Sequence, residues 1–216
     1  MKSRWFEYKV LLLHRIVFEN IGKKMKPGSF KTVMDVGFRL FEKLSQKFSV
    51  LADIYLNMYS EIIEKEITLA NISSTDRALV IGGGALPATP FLLAQRTQAT
   101  IVSIDRDKKA VQQGKKFLTR YHLDKNITMM HADGQTYPVN SFTVIIIVYG
   151  VKHQPNVLRH IAETMNPTAR VIYRTVLDEN GKSPLDISPY FTIKKSVRSE
   201  AFGYLDSLLL LKNNEK

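Results

Sequence analysis

The sequence predicts an α/β domain built on a mostly parallel sheet, closed at one edge by an antiparallel hairpin and preceded by a helical cap. Three observations carry this expectation. From Thr75 onward, short apolar runs alternate with segments of helical periodicity. The first of those runs ends directly in Gly82-Gly83-Gly84. The last two, Phe191 to Val197 and Tyr204 to Leu211, are joined only by RSEAFG, too short for a crossover helix, so they should pair antiparallel.

The chain divides at the polar stretch NISSTD, Asn71 to Asp76, giving a helical cap over residues 1–74 and an α/β domain over residues 75–216. In the cap, Phe38, Phe41, Leu44, Phe48, Leu51, Ile54, Tyr55 and Met58 recur at spacings of three and four, one stripe of a helix. Ile62, Ile63, Ile67 and Leu69 extend the pattern to the boundary. Lys26-Pro27-Gly28-Ser29 breaks an earlier helix, with Ser29 placed to cap the next, so about three helices are expected. The apolar run Val10 to Leu13 is too short and too punctuated by charge to span a bilayer.

In the α/β domain the expected order is a strand at Ala78 to Ile81, a helix at Pro87 to Arg96, and a strand at Ile101 to Ile104 followed by Asp105. A helix at Lys108 to Tyr121 and strands at Ile127 to Met130 and Val144 to Val148 come next. The latter strand is apolar throughout, as one buried on both faces should be. A helix at Val157 to Met165 stops at Asn166-Pro167, and Arg170 to Val176 is the fifth strand. Strand–helix alternation implies right-handed crossovers and a parallel sheet. The terminal hairpin distinguishes a Rossmann-like sheet of class I methyltransferase type from the dinucleotide-dehydrogenase type.

The glycine triplet sits where the chain must turn sharply from strand to helix while its backbone approaches a ligand, which residues without a Cβ do most cheaply. Asp105 follows Gly82 by 23 residues and ends the second strand, the place from which a carboxylate accepts from both hydroxyls of a ribose. Asp133, in HADG at the end of the third strand, is placed to accept from an adenine amino group. Leu86, Pro87, Arg106, Gly134 and Tyr149 flank these strand ends and complete the candidate cofactor set. Dinucleotide binders carry Gly or Ala where Pro87 stands, and proline removes an amide donor that a pyrophosphate would use. The expected cofactor is therefore S-adenosylmethionine, which has no phosphate to cradle.

The run Ala78 to Leu93, ALVIGGGALPATPFLL, resembles the glycine-rich segment of the nicotianamine synthase family, whose Gly-x-Gly-x-Leu-Pro-x-Thr pattern is matched by Gly82, Gly84, Leu86, Pro87 and Thr89. Arg170 to Thr175 and Tyr204 to Lys212 are similar to strands of archaeal members. The resemblance implies transfer of the 3-amino-3-carboxypropyl group of S-adenosylmethionine rather than its methyl group. The family's catalytic glutamate and tyrosine have no secure match here; Tyr55, Tyr59 and Glu61 are the candidates it leaves.

On the acceptor side, Tyr149 and His153 follow the fourth strand, and His153 is the candidate general base because imidazole titrates near neutrality. Arg174 interrupts an apolar strand; it is either a fork for a carboxylate of cofactor or acceptor, or an ion-paired strand arginine. No metal site is expected, since no histidine has an acidic partner at ligand spacing. With no cysteine in 216 residues, disulfides and thiolate chemistry are excluded and a cytoplasmic location is expected.

The net charge of +11 is not confined to a tail: 12 Lys+Arg face 8 Asp+Glu up to Ser74, and 19 face 12 beyond it. The leading expectation is a transferase acting on a small, anionic or amino-acid-like acceptor, with no membrane partner. Methylation of RNA, suggested by the charge, and a non-catalytic cofactor-binding subunit are the alternatives.

Overall fold

In the computed structural model, residues 49–123, 125–199 and 205–213 are described. They form α1 (Ser49–Ala70), β1 (Arg77–Ile81), α2 (Ala88–Thr97), β2 (Thr100–Asp105), α3 (Lys108–Arg120), β3 (Ile127–His131) and β4 (Val144–Ile147). α4 (Gln154–Thr164), β5 (Arg170–Thr175), β6 (Phe191–Ser199) and β7 (Leu205–Lys212) follow. The helices expected before residue 49, the Ser29 cap and most of the link between the last two strands lie outside the described residues.

The sheet order is β3-β2-β1-β4-β5-β7-β6. The first five strands are parallel, β7 runs antiparallel to β5, and β6 pairs antiparallel with β7 alone. Strand order reverses between β1 and β4, and in open α/β sheets the crevice at such a switch point receives ligands.

Alternation along the strands assigns side chains to two cores. Ala78, Val80, Ile101, Val144, Ile146 and Ile172 join Ile62 and Ile63 of α1, Leu93 of α2 and Phe117 of α3 on one face. Leu79, Ile81, Ile145, Ile147, Val171 and Tyr173 join Val157, Leu158 and Ile161 of α4 on the other. β1 and β4 are buried on both sides, which is why they are uninterrupted apolar runs. α1 is thus a layer of the same core, with Ile62 and Ile63 wholly excluded from solvent. The β6 edge is blunted by Lys194 and Lys195 and by a register shift between Ile193 and Lys195.

Two helix starts differ from expectation. Pro87 is not the first helical residue: its ψ of 61° lies outside the helix, and its carbonyl accepts the first helical bond from Phe91 at 3.0 Å. α4 begins three residues before the expected Val157, at Gln154, because Pro155 falls in the first turn, where no N–H is needed.

The segment between α1 and β1 is tied to β5. Arg170 donates from Nη1 to the carbonyls at the end of α1, Ala70 and Asn71, and from Nη2 to Asp76, which also accepts from Thr143 Oγ1 at 2.7 Å. Burial works to raise the Asp76 pKa, but the bonds from Thr143 and the Ser73 amide, with the Arg170 charge, hold it below its ordinary 3.8.

Candidate functional site

The glycine loop runs between the ends of β1 and α2. Gly82 and Gly84 have φ of 91° and 69°, the left-handed region that favours glycine. A Cβ on Gly82 would lie 2.6 Å from Val148 and 2.8 Å from Val151, at the end of β4. A Cβ on Gly83 would collide with Ser103 Oγ, a buried hydroxyl with no hydrogen-bond partner among the described residues. The loop is therefore pressed flat against β2 and β4 and cannot thicken. Gly114 of α3 packs it from behind: a Cβ there would sit 3.0 Å from the Gly84 carbonyl and collide with Met129 Sδ.

Asp105 locks this loop. Its Oδ2 accepts from the Gly84 amide at 2.9 Å and its Oδ1 from the Asp107 amide at 2.8 Å. A carboxylate offers about four lone-pair sites, so roughly two remain for further donors. Arg106 is exposed, and its carbonyl accepts from His131 Nε2 at 3.1 Å. Asp133, at the end of β3, accepts from the Gln135 amide at 2.9 Å and from its side-chain amide, while Gln135 accepts from Asn156 at 3.0 Å. Gly134 is buried, with no room for a Cβ beside Ile81 at 2.7 Å.

Past β4, half-buried Tyr149 is held through its carbonyl, which accepts from Gln154 Nε2 at 3.1 Å. Gln154 Oε1 in turn accepts from Tyr173 of β5 at 2.9 Å. Burial pushes the Tyr173 phenol upward in pKa, so it remains a donor. His153 occupies the left-handed region at φ 55°, exposed, at the N-cap of α4, with no capping bond from its side chain.

Arg174 is 1% exposed and does not offer its fork to the crevice. Its Nε and Nη2 donate to the two carboxylate oxygens of Glu66 at 2.7 and 2.8 Å, and Nη1 donates to Thr89 Oγ1 at 3.0 Å. Ser207 Oγ completes the set at 2.6 Å from Glu66. Of the two sequence readings of Arg174, the ion-paired strand arginine describes what is seen. Burial works against its charge, but the Glu66 carboxylate outweighs it and holds the guanidinium pKa above its ordinary value. Tyr59 lies against this cation, its ring centroid 5.9 Å from Arg174 Cζ and 4.8 Å from that of Tyr55. Glu61 pairs with Lys65 at 2.5 Å.

Sequence reasoning missed Glu66, Ser103, Gly114, Gln135 and Gln154. Two signals were present. Glu66 lies three and four residues beyond Ile63 and Ile62, a charge on an apolar stripe, and Gly114 lies in a helix interior where glycine is costly without a packing reason. Among the described residues, no group of three His, Asp or Glu side chains is placed to hold a metal ion.

A parallel sheet ending in β7 antiparallel to β5, with a glycine loop at the end of β1 and a carboxylate at the end of β2, is the class I methyltransferase fold. The RNA methyltransferase of Salinibacter ruber, in complex with S-adenosyl-L-homocysteine, shares it at a TM-score of 0.60 and 15% identity, over 72% of this chain and 94% of its own. Within that class the chain is similar to a nicotianamine synthase, MtNAS. MtNAS in complex with MTA and tNA matches at a TM-score of 0.75 and 20% identity, over 85% of this chain and 74% of that one. A single-site variant of MtNAS in complex with S-adenosylmethionine matches at 0.68 over 94% of this chain and 77% of its own, at 22% identity. In sequence, 75 residues are 31% identical to the L-histidine 2-aminobutanoyltransferase of Yersinia pestis, covering 35% of this chain but only 28% of that protein. No protein-family model matches the chain.

Proposed function

We propose that this chain is an S-adenosylmethionine-dependent transferase that moves the aminocarboxypropyl group onto a small, amino-acid-like acceptor. The observation that carries the reading is the flat glycine loop at the sheet's switch point, clamped by Asp105 with lone pairs to spare. The fit is chemical as well as steric: a loop that excludes side chains admits a ligand close to the backbone, and the carboxylates at the next two strand ends accept from ribose and adenine. The likeness to an aminobutanoyltransferase and a nicotianamine synthase favours this transfer over methyl transfer.

S-adenosylmethionine, when bound, supplies a sulfonium whose attached carbons are electrophilic. What the protein contributes is position and exclusion of water. Asp105 holds ribose, Asp133 the adenine edge, and Tyr149 covers the end of β4. The bound cofactor would supply an aminocarboxypropyl carbon open to attack by the acceptor's amine nitrogen, with methylthioadenosine as the group displaced from it. The amine's proton passes to a base, for which His153 is the proposed group, with Tyr59 and Glu61 on the cap side orienting the acceptor. Residues 1–74 form the cap in this reading. A cytoplasmic location accords with the absence of cysteine, and among the described residues no helix is long and apolar enough to cross a membrane.

Incubating the protein with labelled cofactor and a panel of amino acids tests the reading through its by-product. Methylthioadenosine is expected; S-adenosylhomocysteine would assign methyl transfer instead, and neither, with no cofactor bound, would remove the reading.

One observation favours a second reading, a polyanionic acceptor such as RNA. Lys108, Lys109, Lys115, Lys116 and Arg120 are exposed along α3, which starts beside Asp105, and none makes an ion pair among the described residues. Binding of tRNA that weakens steeply with salt, at a slope of about −0.7 to −0.9 per phosphate contact, would support it.

A further inference from the structure

We infer that Glu66, Arg174 and Thr89 form a positioning relay that sets the glycine loop against helix α1. The inference rests on the cofactor reading above and assigns a role to three residues that the crevice itself does not use.

The relay begins from a buried ion pair. Glu66 and Arg174 are 0% and 1% exposed. A buried ion pair is often no more stabilising than an apolar pair of the same volume, because desolvation cancels much of the attraction. What it does impose is direction, since a guanidinium fork meets a carboxylate in one plane. Here the fork fixes α1 on β5, and the third bond, from Nη1, reaches Thr89 Oγ1 at 3.0 Å.

Thr89 is the second residue of α2, five positions beyond Gly84. The loop before it is held on the β2 side by backbone bonds from Gly82 and Gly83 to the Ile104 carbonyl, at 2.8 and 3.1 Å, and by Asp105. α2 has no side-chain cap at its start. Among the described residues, the bond from Arg174 is therefore the side-chain tie on the first turn of α2, while Arg96 in its last turn ties the helix to Ser60 and Glu64 of α1. The Arg174 cation also lies 5.9 Å from the ring centroid of Tyr59, the proposed acceptor-side tyrosine. One buried guanidinium thus touches the cofactor-loop helix and the cap-side helix together. It acts through Thr89 and need not contact either ligand.

Thr89→Val keeps shape and volume and removes the acceptor, leaving the ion pair intact. The comparison variant is Thr97→Val, in the same helix, which removes a buried hydroxyl bonded to the Leu93 carbonyl at 2.7 Å but remote from the relay. Calorimetry with S-adenosylmethionine, together with melting curves, decides. Thr89→Val is expected to raise the cofactor Kd and KM by about tenfold with kcat changed by less than about threefold, the loss of one charge-assisted bond. Thr89→Ser should restore binding to within about twofold, and Thr97→Val should lower the melting temperature without moving Kd. A Kd for Thr89→Val within about twofold of the parent, or an equal loss in Thr97→Val, overturns the relay while leaving the cofactor reading in place. Absence of cofactor binding by the parent chain overturns both.

Discussion

At the scale of single residues, the site is defined as much by missing atoms as by functional groups. Gly83 lies on Ser103 with no space between them, and Gly82 adopts a φ that costs any side chain energy. Gly83→Ala should therefore cost about 1–3 kcal/mol in denaturant unfolding, by overpacking, and weaken cofactor binding more than that loss of stability alone accounts for. Asp105 does two jobs, and an amide in its place can accept at only one of two positions. Asp105→Asn is expected to leave either the Gly84 or the Asp107 amide without its acceptor and to reduce cofactor affinity by about tenfold or more, read by calorimetry. The glycines and both aspartates were legible from their place after predicted strands. Their partners were not, because Ser103 and Gly114 meet the loop only across the sheet and from α3.

At the scale of elements, pairs of charges decide how helices seat. Glu66 and Arg174 join α1 to β5, so Glu66→Ala leaves an uncompensated buried cation and should cost about 3–5 kcal/mol. The double change Glu66→Met with Arg174→Met should cost markedly less in the same unfolding experiment, since no bare charge remains. Asp107 caps α3 by accepting from the amides of Lys109 and Ala110, at 2.8 and 3.3 Å. Asp107→Ala should then cost about 1 kcal/mol. The Asp76 cluster sets a pH dependence with a definite sign. Its pKa is lowered on folding, so its contribution is complete above the ordinary value of 3.8 and is lost as pH falls from there through the folded value. Unfolding measured over that acidic window should show this slope, and Asp76→Asn should flatten it. Arg174 could be read from sequence as a charge in an apolar strand, yet its partner lies 108 residues away, so local pattern could not choose between pairing and ligand binding.

At the scale of the whole molecule, α1 packs into the same core as the sheet. It covers one face through Ile62 and Ile63 and supplies the only carboxylate that meets Arg174 among the described residues. A chain lacking residues 1–74 is expected to show no cooperative thermal unfolding, whereas a separable cap would leave a sharp transition. By itself the sequence determined the strand–helix order and the terminal hairpin, and it nominated the strand ends proposed to line the crevice. Those follow from local periodicity and from glycine and carboxylate at strand ends, which each segment carries within itself. Only the tertiary structure decided which charges are spent on the fold and which remain for a ligand. That depends on neighbours distant in the chain, and desolvation leaves a buried charge no alternative but to find its counterpart.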